Sequence, residues 1–265
     1  VTPYYDKDGI QIFHGDNCDV LGTFPRDSID LVVTSPPYDD MRTYGGHEWD
    51  FYGVAWQLKR VLKPGGVIVW IVADQTKDGS ESGTSMKQAL HFQVLGLNLH
   101  DTMIFKKSSV GACGSIHSYW QMWEYCFVLS LGSPASVNRI ADVNNLTAGK
   151  PNKRSPKWDT MTIRNTRDGT VAEKGIRGNV WEYHVGLCAH DDLHIHPAPF
   201  PESLARDHIL SWSNEGDTIL DPFNGSGTTT KMAKLMGRKA IGIEIEEKYC
   251  EIAARRLEQK VFKWD

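Results

Sequence analysis

An apolar run, Ile29-Asp30-Leu31-Val32-Val33, ends at once in Thr34-Ser35-Pro36-Pro37-Tyr38. The run reads as a buried parallel strand. Two successive prolines offer no ladder donor and keep the residues before them out of helical conformation. The strand must therefore stop there, and a stiff loop must project from its carboxyl end. That loop carries the Ser35 hydroxyl, backbone carbonyls without a strand partner, and the Tyr38 ring. Oxygen acceptors beside an aromatic face suit a flat, amino-bearing ring such as an unstacked nucleobase. The plainer alternative is a Pro-Pro turn that ends a strand and does nothing more.

A second pattern lies far down the chain. A short strand at 218–220 runs into Asp221-Pro222-Phe223-Asn224-Gly225-Ser226-Gly227-Thr228-Thr229-Thr230, and a helix continues over 231–236. Strand, Gly-x-Gly turn and helix form the first half of a nucleotide-binding unit, in which bare backbone and helix-terminal N–H groups meet the ligand. The next strand, 239–243, leads to Glu244, 19 residues after Gly225. A carboxylate at that distance can accept from both hydroxyls of a ribose. Thr230 stands where a dinucleotide fingerprint has its third glycine, which favours a ligand with one nucleoside and no pyrophosphate. Near the start, a strand over 9–13 runs into His14-Gly15-Asp16. Asp16 is then either another carboxylate at a strand end or the cap of the helical turn through Leu21.

Between these landmarks the pattern alternates. A helix over 49–62 (Val54, Leu58, Val61 and Leu62 on one face) stops at Lys63-Pro64-Gly65-Gly66. A strand at 67–73, a polar loop at 74–85, a helix at 86–97 and strands at 99–106 and 119–129 follow, the last two as an antiparallel pair at the sheet edge. A helix over 202–212 precedes the glycine-bearing strand. Alternating strands and helices imply an α/β domain with a mostly parallel sheet.

From 132 to 195 the pattern is lost. Between positions 145 and 180 there are eight basic residues against three acidic ones, in a chain of formal net charge -4. A polyanion would meet the protein at this segment. Trp158, Ile163, Val180, Trp181 and Tyr183 supply apolar anchors for a small ordered unit. Arg42 and Tyr44, in the polar loop after the Pro-Pro-Tyr stretch, are further candidates for contact with phosphate or base. The five cysteines form no Cys-x-x-Cys pair, which speaks against a disulfide framework. Cys188, His190, Asp191, Asp192, His194 and His196 have spacing that could hold zinc, but the reading adopted is no metal. No targeting stretch and no run long enough to span a bilayer is visible, so a cytosolic protein is expected.

Together the two motifs, in this order, resemble the permuted β group of DNA amino-methyltransferases, the N4-cytosine/N6-adenine DNA methylases. In that group the Pro-Pro-Tyr motif precedes the target-recognition region and the cofactor glycine loop follows it. The resemblance implies a Rossmann-like, S-adenosylmethionine-dependent methyltransferase fold: a mostly parallel, doubly wound α/β sheet with an antiparallel edge, circularly permuted. It divides the chain into a catalytic half (1–131), an irregular target-recognition insertion (132–195) and a cofactor-binding half (196–265).

Carried over by position, Ser35, Pro36, Pro37 and Tyr38 match the catalytic loop. Asp221, Phe223, Gly225, Ser226, Gly227 and Thr228 match the cofactor loop, Glu244 the ribose acid, and Asp16 the acid near the adenine amino group. Pro199 and Phe200 fall in the segment that closes over the cofactor. Lys150, Lys153, Arg154, Lys157, Arg164 and Arg167 are DNA contacts by this reading. S-adenosylmethionine is the implied cofactor and double-stranded DNA the implied partner. A homodimer, a cognate restriction endonuclease within a restriction-modification system, and a bacterial, archaeal or phage cytoplasmic setting are compatible with it.

The implied reaction is methylation of the exocyclic amino group of a flipped base. Serine before Pro-Pro-Tyr favours cytosine N4, and adenine N6 is the alternative. An RNA or protein-amide substrate, a catalytically silent DNA-binding module and a nicotinamide dehydrogenase are more remote alternatives. The Pro-Cys dipeptide of carbon-5 cytosine methylation is absent from the chain.

Overall fold

The computed structural model describes residues 1–38, 49–108, 119–151, 169–185 and 200–259. The chain opens with β1 (Tyr5–Lys7), β2 (Ile10–His14) and α1 (Asn17–Gly22), followed by β3 (Ile29–Thr34). Next come α2 (Phe51–Val61), β4 (Leu62–Val72), a two-residue pair β5 (Thr76–Lys77) and β6 (Ser80–Glu81), and α3 (Thr84–Val94). The strands β7 (Asn98–Lys107), β8 (Trp123–Ser130), β9 (Ala141–Asn144), β10 (Lys174–Ile176) and β11 (Val180–Tyr183) follow. The chain then forms α4 (Glu202–Trp212), β12 (Thr218–Asp221), α5 (Thr228–Leu235), β13 (Lys239–Glu244) and α6 (Glu247–Glu258).

Two compact units emerge, Val1–Asn138 with Asn179–Asp265, and Arg139–Gly178. The first holds a nine-stranded sheet in the order β1-β2-β13-β12-β3-β4-β8-β7-β11. Neighbours from β2 through β4 are parallel, while β8 runs antiparallel between β4 and β7. The strands β2 and β3 are consecutive in the chain, yet β13 and β12 from its far end lie between them. This is the permuted order expected from the two motifs. The first and last elements meet accordingly, with Lys7 Nζ 2.7 Å from Glu258 on α6.

The run that opened the reading is unbroken because β3 is covered on both faces: Leu31, Val32 and Val33 are all fully buried. One face gathers Val20 and Leu21 of α1, Val54, Leu58 and Val61 of α2, and Phe92 of α3 around Val32, Ile68 and Trp70. The opposite face, toward which Leu31 and Val33 alternate, is covered by α4, α5 and α6. Each such aliphatic side chain contributes about 1.5–3 kcal/mol by leaving water. Asp30 interrupts the apolar run for a reason the structure supplies. Its carboxylate accepts from Lys63 Nζ at 2.7 Å and from the backbone N–H of Thr218 at 2.9 Å, tying the starts of β4 and β12 to β3.

Local readings differ from the structure in a few places. The helix stop at Lys63-Pro64-Gly65-Gly66 is not a separate loop. The chain enters β4 directly at Leu62, and a register shift between Ile29 and Leu31 absorbs the extra residues. Gly65 takes φ +80, donates to Leu131 O at 2.7 Å and accepts from Ala135 N at 2.8 Å, a close approach that a side chain would obstruct.

The helix α3 begins at Thr84 because Asp74, at the end of β4, accepts from the Ser85 N–H (2.9 Å) and hydroxyl (2.5 Å). The expected antiparallel pair is β7 and β8, but β11 lies outside it, parallel to β7. The second unit, Arg139–Gly178, lies within the irregular stretch 132–195. Trp181, taken as an anchor of the insertion, is buried in the main sheet's strand β11.

In the second unit β9 and β10 pair antiparallel, and Arg177 Nε donates to Asp142 at 2.8 Å. Lys150 is exposed on a turn there, its N–H donating to Thr147 O. Among the described residues, no helix is long and apolar enough to cross a membrane.

Candidate active site

Parallel strands put their carboxyl ends on one side of the sheet, so β2, β13, β12, β3 and β4 deliver Asp16, Glu244, Asp221, Ser35 and Asp74 to one edge, in that order. Open α/β sheets bind ligands at this kind of edge. The two motifs, far apart in the chain, thus become neighbours through the pairing of β12 with β3.

The glycine turn is held from three directions. Glu244 is half-buried, with Oε2 accepting from the Gly225 N–H at 2.8 Å and Oε1 from the Glu246 N–H at 2.9 Å. Burial raises its pKa, and the two backbone donors partly offset that. A carboxylate has roughly four acceptor positions, so one remains on each oxygen. Two vicinal hydroxyls match that set.

Gly227, at φ +82, forms the N-terminal boundary of α5, which therefore starts at Thr228 rather than after Thr230. Asn224 packs over Gly242, and its Oδ1 accepts from the Thr230 hydroxyl at 3.1 Å. Thr230, where a third glycine was missing, is thus a buried brace of the turn. Arg256 on α6 donates from Nη1 to Ser226 O (2.5 Å) and Oγ (3.0 Å), and from Nη2 to Glu202 at 2.7 Å.

Asp221 is 1% exposed, and its Oδ1 accepts from the Thr34 hydroxyl at 2.6 Å and the Phe223 N–H at 3.1 Å. Thr229 Oγ1 donates to Val33 O at 3.1 Å. The glycine loop is therefore stitched to the last two residues of the strand that carries Ser35. Phe223 turns its ring edge-on to Trp49, centroids 5.0 Å apart, within the aromatic group around Trp70.

Burial pushes the Asp221 carboxyl from 3.8 up to about 6, against the hydrogen bonds from Thr34, Phe223 and Thr229. Between about pH 4 and 6 the folded state then binds more protons than the unfolded one. Stability contributed by this group is present at low pH and lost as pH rises through that window, by about 3 kcal/mol at pH 7. Asp221→Asn cannot ionise, so between urea unfolding at pH 4 and at pH 7 the balance is expected to shift in the variant's favour by about 2 kcal/mol relative to wild type. A flat difference would mean an ordinary carboxyl.

On the other side of β3, Pro36 is buried and Ser35, Pro37 and Tyr38 are partly exposed. Ser35 Oγ lies 2.8 Å from the Tyr38 oxygen. The Tyr38 hydroxyl donates to Glu124 Oε2 at 2.9 Å, and Glu124 Oε1 pairs with Lys107 Nζ at 2.7 Å. Burial first, and then the Glu124 charge, raise the Tyr38 phenol well above its ordinary value.

A family profile described as DNA methylase, for N6 and N4 enzymes, matches residues 29–255. The chain belongs to this DNA methylase family. Among its curated relatives is the orphan methyltransferase M.BamHII of Bacillus amyloliquefaciens, 48% identical over 88% of this chain and 90% of that protein. Another is the DNA adenine methyltransferase YhdJ of Escherichia coli strain K12, 27% identical over 93% of this chain and 82% of that one. Among solved structures, the cytosine-N4-specific PvuII DNA methyltransferase aligns with a TM-score of 0.70 at 20% identity, covering 98% of this chain and 90% of that one. The methylase fold expected from the sequence is therefore the fold observed.

The methylase's Asp16 caps α1, its Oδ1 accepting from the Cys18 and Asp19 N–H groups at 2.8 and 3.1 Å. It is also exposed at the carboxyl end of β2, so capping leaves the second oxygen at the same edge as Glu244. Ser226 and Thr228 are buried within the turn, and Phe200 is partly exposed just before α4.

Pro199, Arg42, Tyr44, Lys153, Arg154, Lys157, Arg164, Arg167 and the Cys188-to-His196 cluster lie outside the described residues. Sequence reasoning missed Arg256, Thr34, Glu124 and Lys107. Glu124 and Arg256 sit in ordinary strand and helix patterns with no local signal. Only their partners, 86 and 30 residues away, distinguish them.

Proposed function

We propose that the methylase transfers a methyl group from S-adenosylmethionine to the exocyclic amino group of a base flipped out of duplex DNA, cytosine N4 in preference to adenine N6. The observation that carries this reading is the position of Ser35 Oγ at the open end of β3, one residue after Thr34, which is bonded to the glycine loop through Asp221. When bound, S-adenosylmethionine supplies an electrophilic methyl on a sulfonium centre, open to direct attack by an amino nitrogen.

The protein's own groups bind and orient. Glu244 accepts from the ribose hydroxyls, Asp16 faces the adenine amino group, and the backbone at Gly225 and Gly227 receives the amino-acid portion. Ser35 Oγ and the Pro36 carbonyl accept the hydrogens of the target amino group and draw its nitrogen toward tetrahedral geometry. Tyr38 offers a stacking face to the base, worth about 1–3 kcal/mol. Catalysis then rests on positioning and local electrostatics. The basic segment, with Lys150 in its described part, takes the phosphate backbone.

The adenine reading is supported by the Escherichia coli relative's name, and the cytosine reading by serine rather than aspartate before Pro-Pro-Tyr. Labelled S-adenosylmethionine, unmethylated duplex DNA, nucleoside digestion and chromatography separate them. Label in 4-methylcytosine is expected. Label in 6-methyladenine would reverse the base, and no label in DNA would remove the reading. Ser35→Ala is expected to lower kcat by about 10²- to 10³-fold, the cost of one preorganised hydrogen-bonding group. Its duplex affinity and salt dependence should stay those of wild type.

A further inference from the structure

We propose that Glu124, held by Lys107, sets the direction of a hydrogen-bond chain through Tyr38 to Ser35 and so fixes the Ser35 oxygen as an acceptor toward the target base. The inference rests on the reading that Ser35 receives the amino group.

A serine hydroxyl alone is indifferent: it donates or accepts as its rotor turns. Beside a base it could equally donate to a ring nitrogen or to a keto oxygen. The four residues remove that freedom. Glu124 Oε1 is occupied by the Lys107 ammonium at 2.7 Å, and a carboxylate so paired only accepts. The Tyr38 hydroxyl, 2.9 Å from Oε2, must therefore donate to it. Burial and the neighbouring negative charge keep that phenol protonated. Tyr38 has one hydrogen, and Glu124 takes it. The 2.8 Å contact with Ser35 is then Ser35 donating to the tyrosine oxygen. With its only hydrogen turned inward, Ser35 presents lone pairs alone to whatever lies in front of it. An amino group satisfies them, whereas a base bearing oxygen at the same position leaves two acceptors facing each other without a proton.

The chain therefore gives chemical selectivity for amino-bearing bases and prepares the acceptor before the base arrives. Glu124 is a positioning residue, since it acts through Tyr38 and does not touch the base. Nothing local marks it, because the loop after β3 has to reach past β4 to meet β8.

The test is a double-mutant cycle on the full chain, with unmethylated bacterial duplex DNA as substrate. Tyr38→Phe keeps the ring and loses the hydroxyl, and Glu124→Gln keeps the shape and introduces a donor. Each is expected to lower kcat about tenfold, the equivalent of one hydrogen bond. S-adenosylmethionine binding should stay at the wild-type value. In a Ser35→Ala background neither is expected to cost anything further, a coupling that a purely structural role would not produce. Full kcat in both single variants, or effects that multiply with Ser35→Ala, would overturn the chain while leaving Ser35 as the acceptor. Full turnover by Ser35→Ala alone would remove the underlying reading instead. If Glu124→Gln does not fold, the Tyr38→Phe and Ser35→Ala pair decides the matter.

Discussion

Glu244→Ala is expected to weaken S-adenosylmethionine binding by about 10²- to 10⁴-fold, measured by isothermal titration calorimetry. Under the proposed role, the variant loses two charge-assisted bonds to ribose hydroxyls, at about 1.5–3 kcal/mol each. Their sum of about 3–6 kcal/mol converts at 1.4 kcal/mol per tenfold in affinity. The loop is also loosened, because the Gly225 N–H loses its 2.8 Å acceptor. Glu244→Gln, which keeps one acceptor oxygen, should fall between the variant and wild type. Since burial raises the Glu244 pKa, affinity is lost as pH falls through that raised value, sooner than for an exposed carboxylate. A dissociation constant within threefold of wild type for Glu244→Ala would place the ribose elsewhere.

The second large effect is on folding. Gly227 occupies φ +82, and a Cβ there would stand 2.8 Å from the Ala253 Cβ and 3.2 Å from its Cα. Gly227→Ala therefore incurs left-handed strain of about 1–3 kcal/mol and overpacking of about 1–3 kcal/mol. Together these are roughly 2–6 kcal/mol out of a stability on the order of 5–15 kcal/mol. Gly216 is the control: its φ is +84, but nothing lies within 4 Å of an added Cβ. Gly216→Ala should show the strain alone. Urea unfolding of the two variants side by side measures the difference, which is the contribution of the close approach of α5 and α6. Equal losses in the two variants would mean that α6 yields at Ala253 and that the turn is not confined by it.

The elements that could be read early are those whose cause is local. The run through Val33 and the prolines after it specify a strand and its end with no help from the rest of the chain. The helix over 202–212 and the glycine turn before Thr228 are equally self-contained, as is Glu244 at the end of its strand. Elements with weak local pattern were not visible. The strand β1 has three residues and β11 four, and each exists because a neighbouring strand offers an edge to pair with. Trp181 looked like an anchor for the insertion because only pairing with Phe105 reveals the sheet to which it belongs.

The site divides along the same line. Residue type and spacing were enough to single out Ser35, Tyr38, Gly225, Gly227 and Glu244 as candidates, since turn geometry and strand ends are decided within a few residues. Tertiary structure alone decided what those groups are bonded to. Asp221 meets Thr34 across 187 positions, Tyr38 meets Glu124 across 86, and Arg256 meets Ser226 across 30. Hydrogen bonds of this kind depend on which strands lie side by side. That order comes from burial of the whole sheet, and no window of sequence contains it.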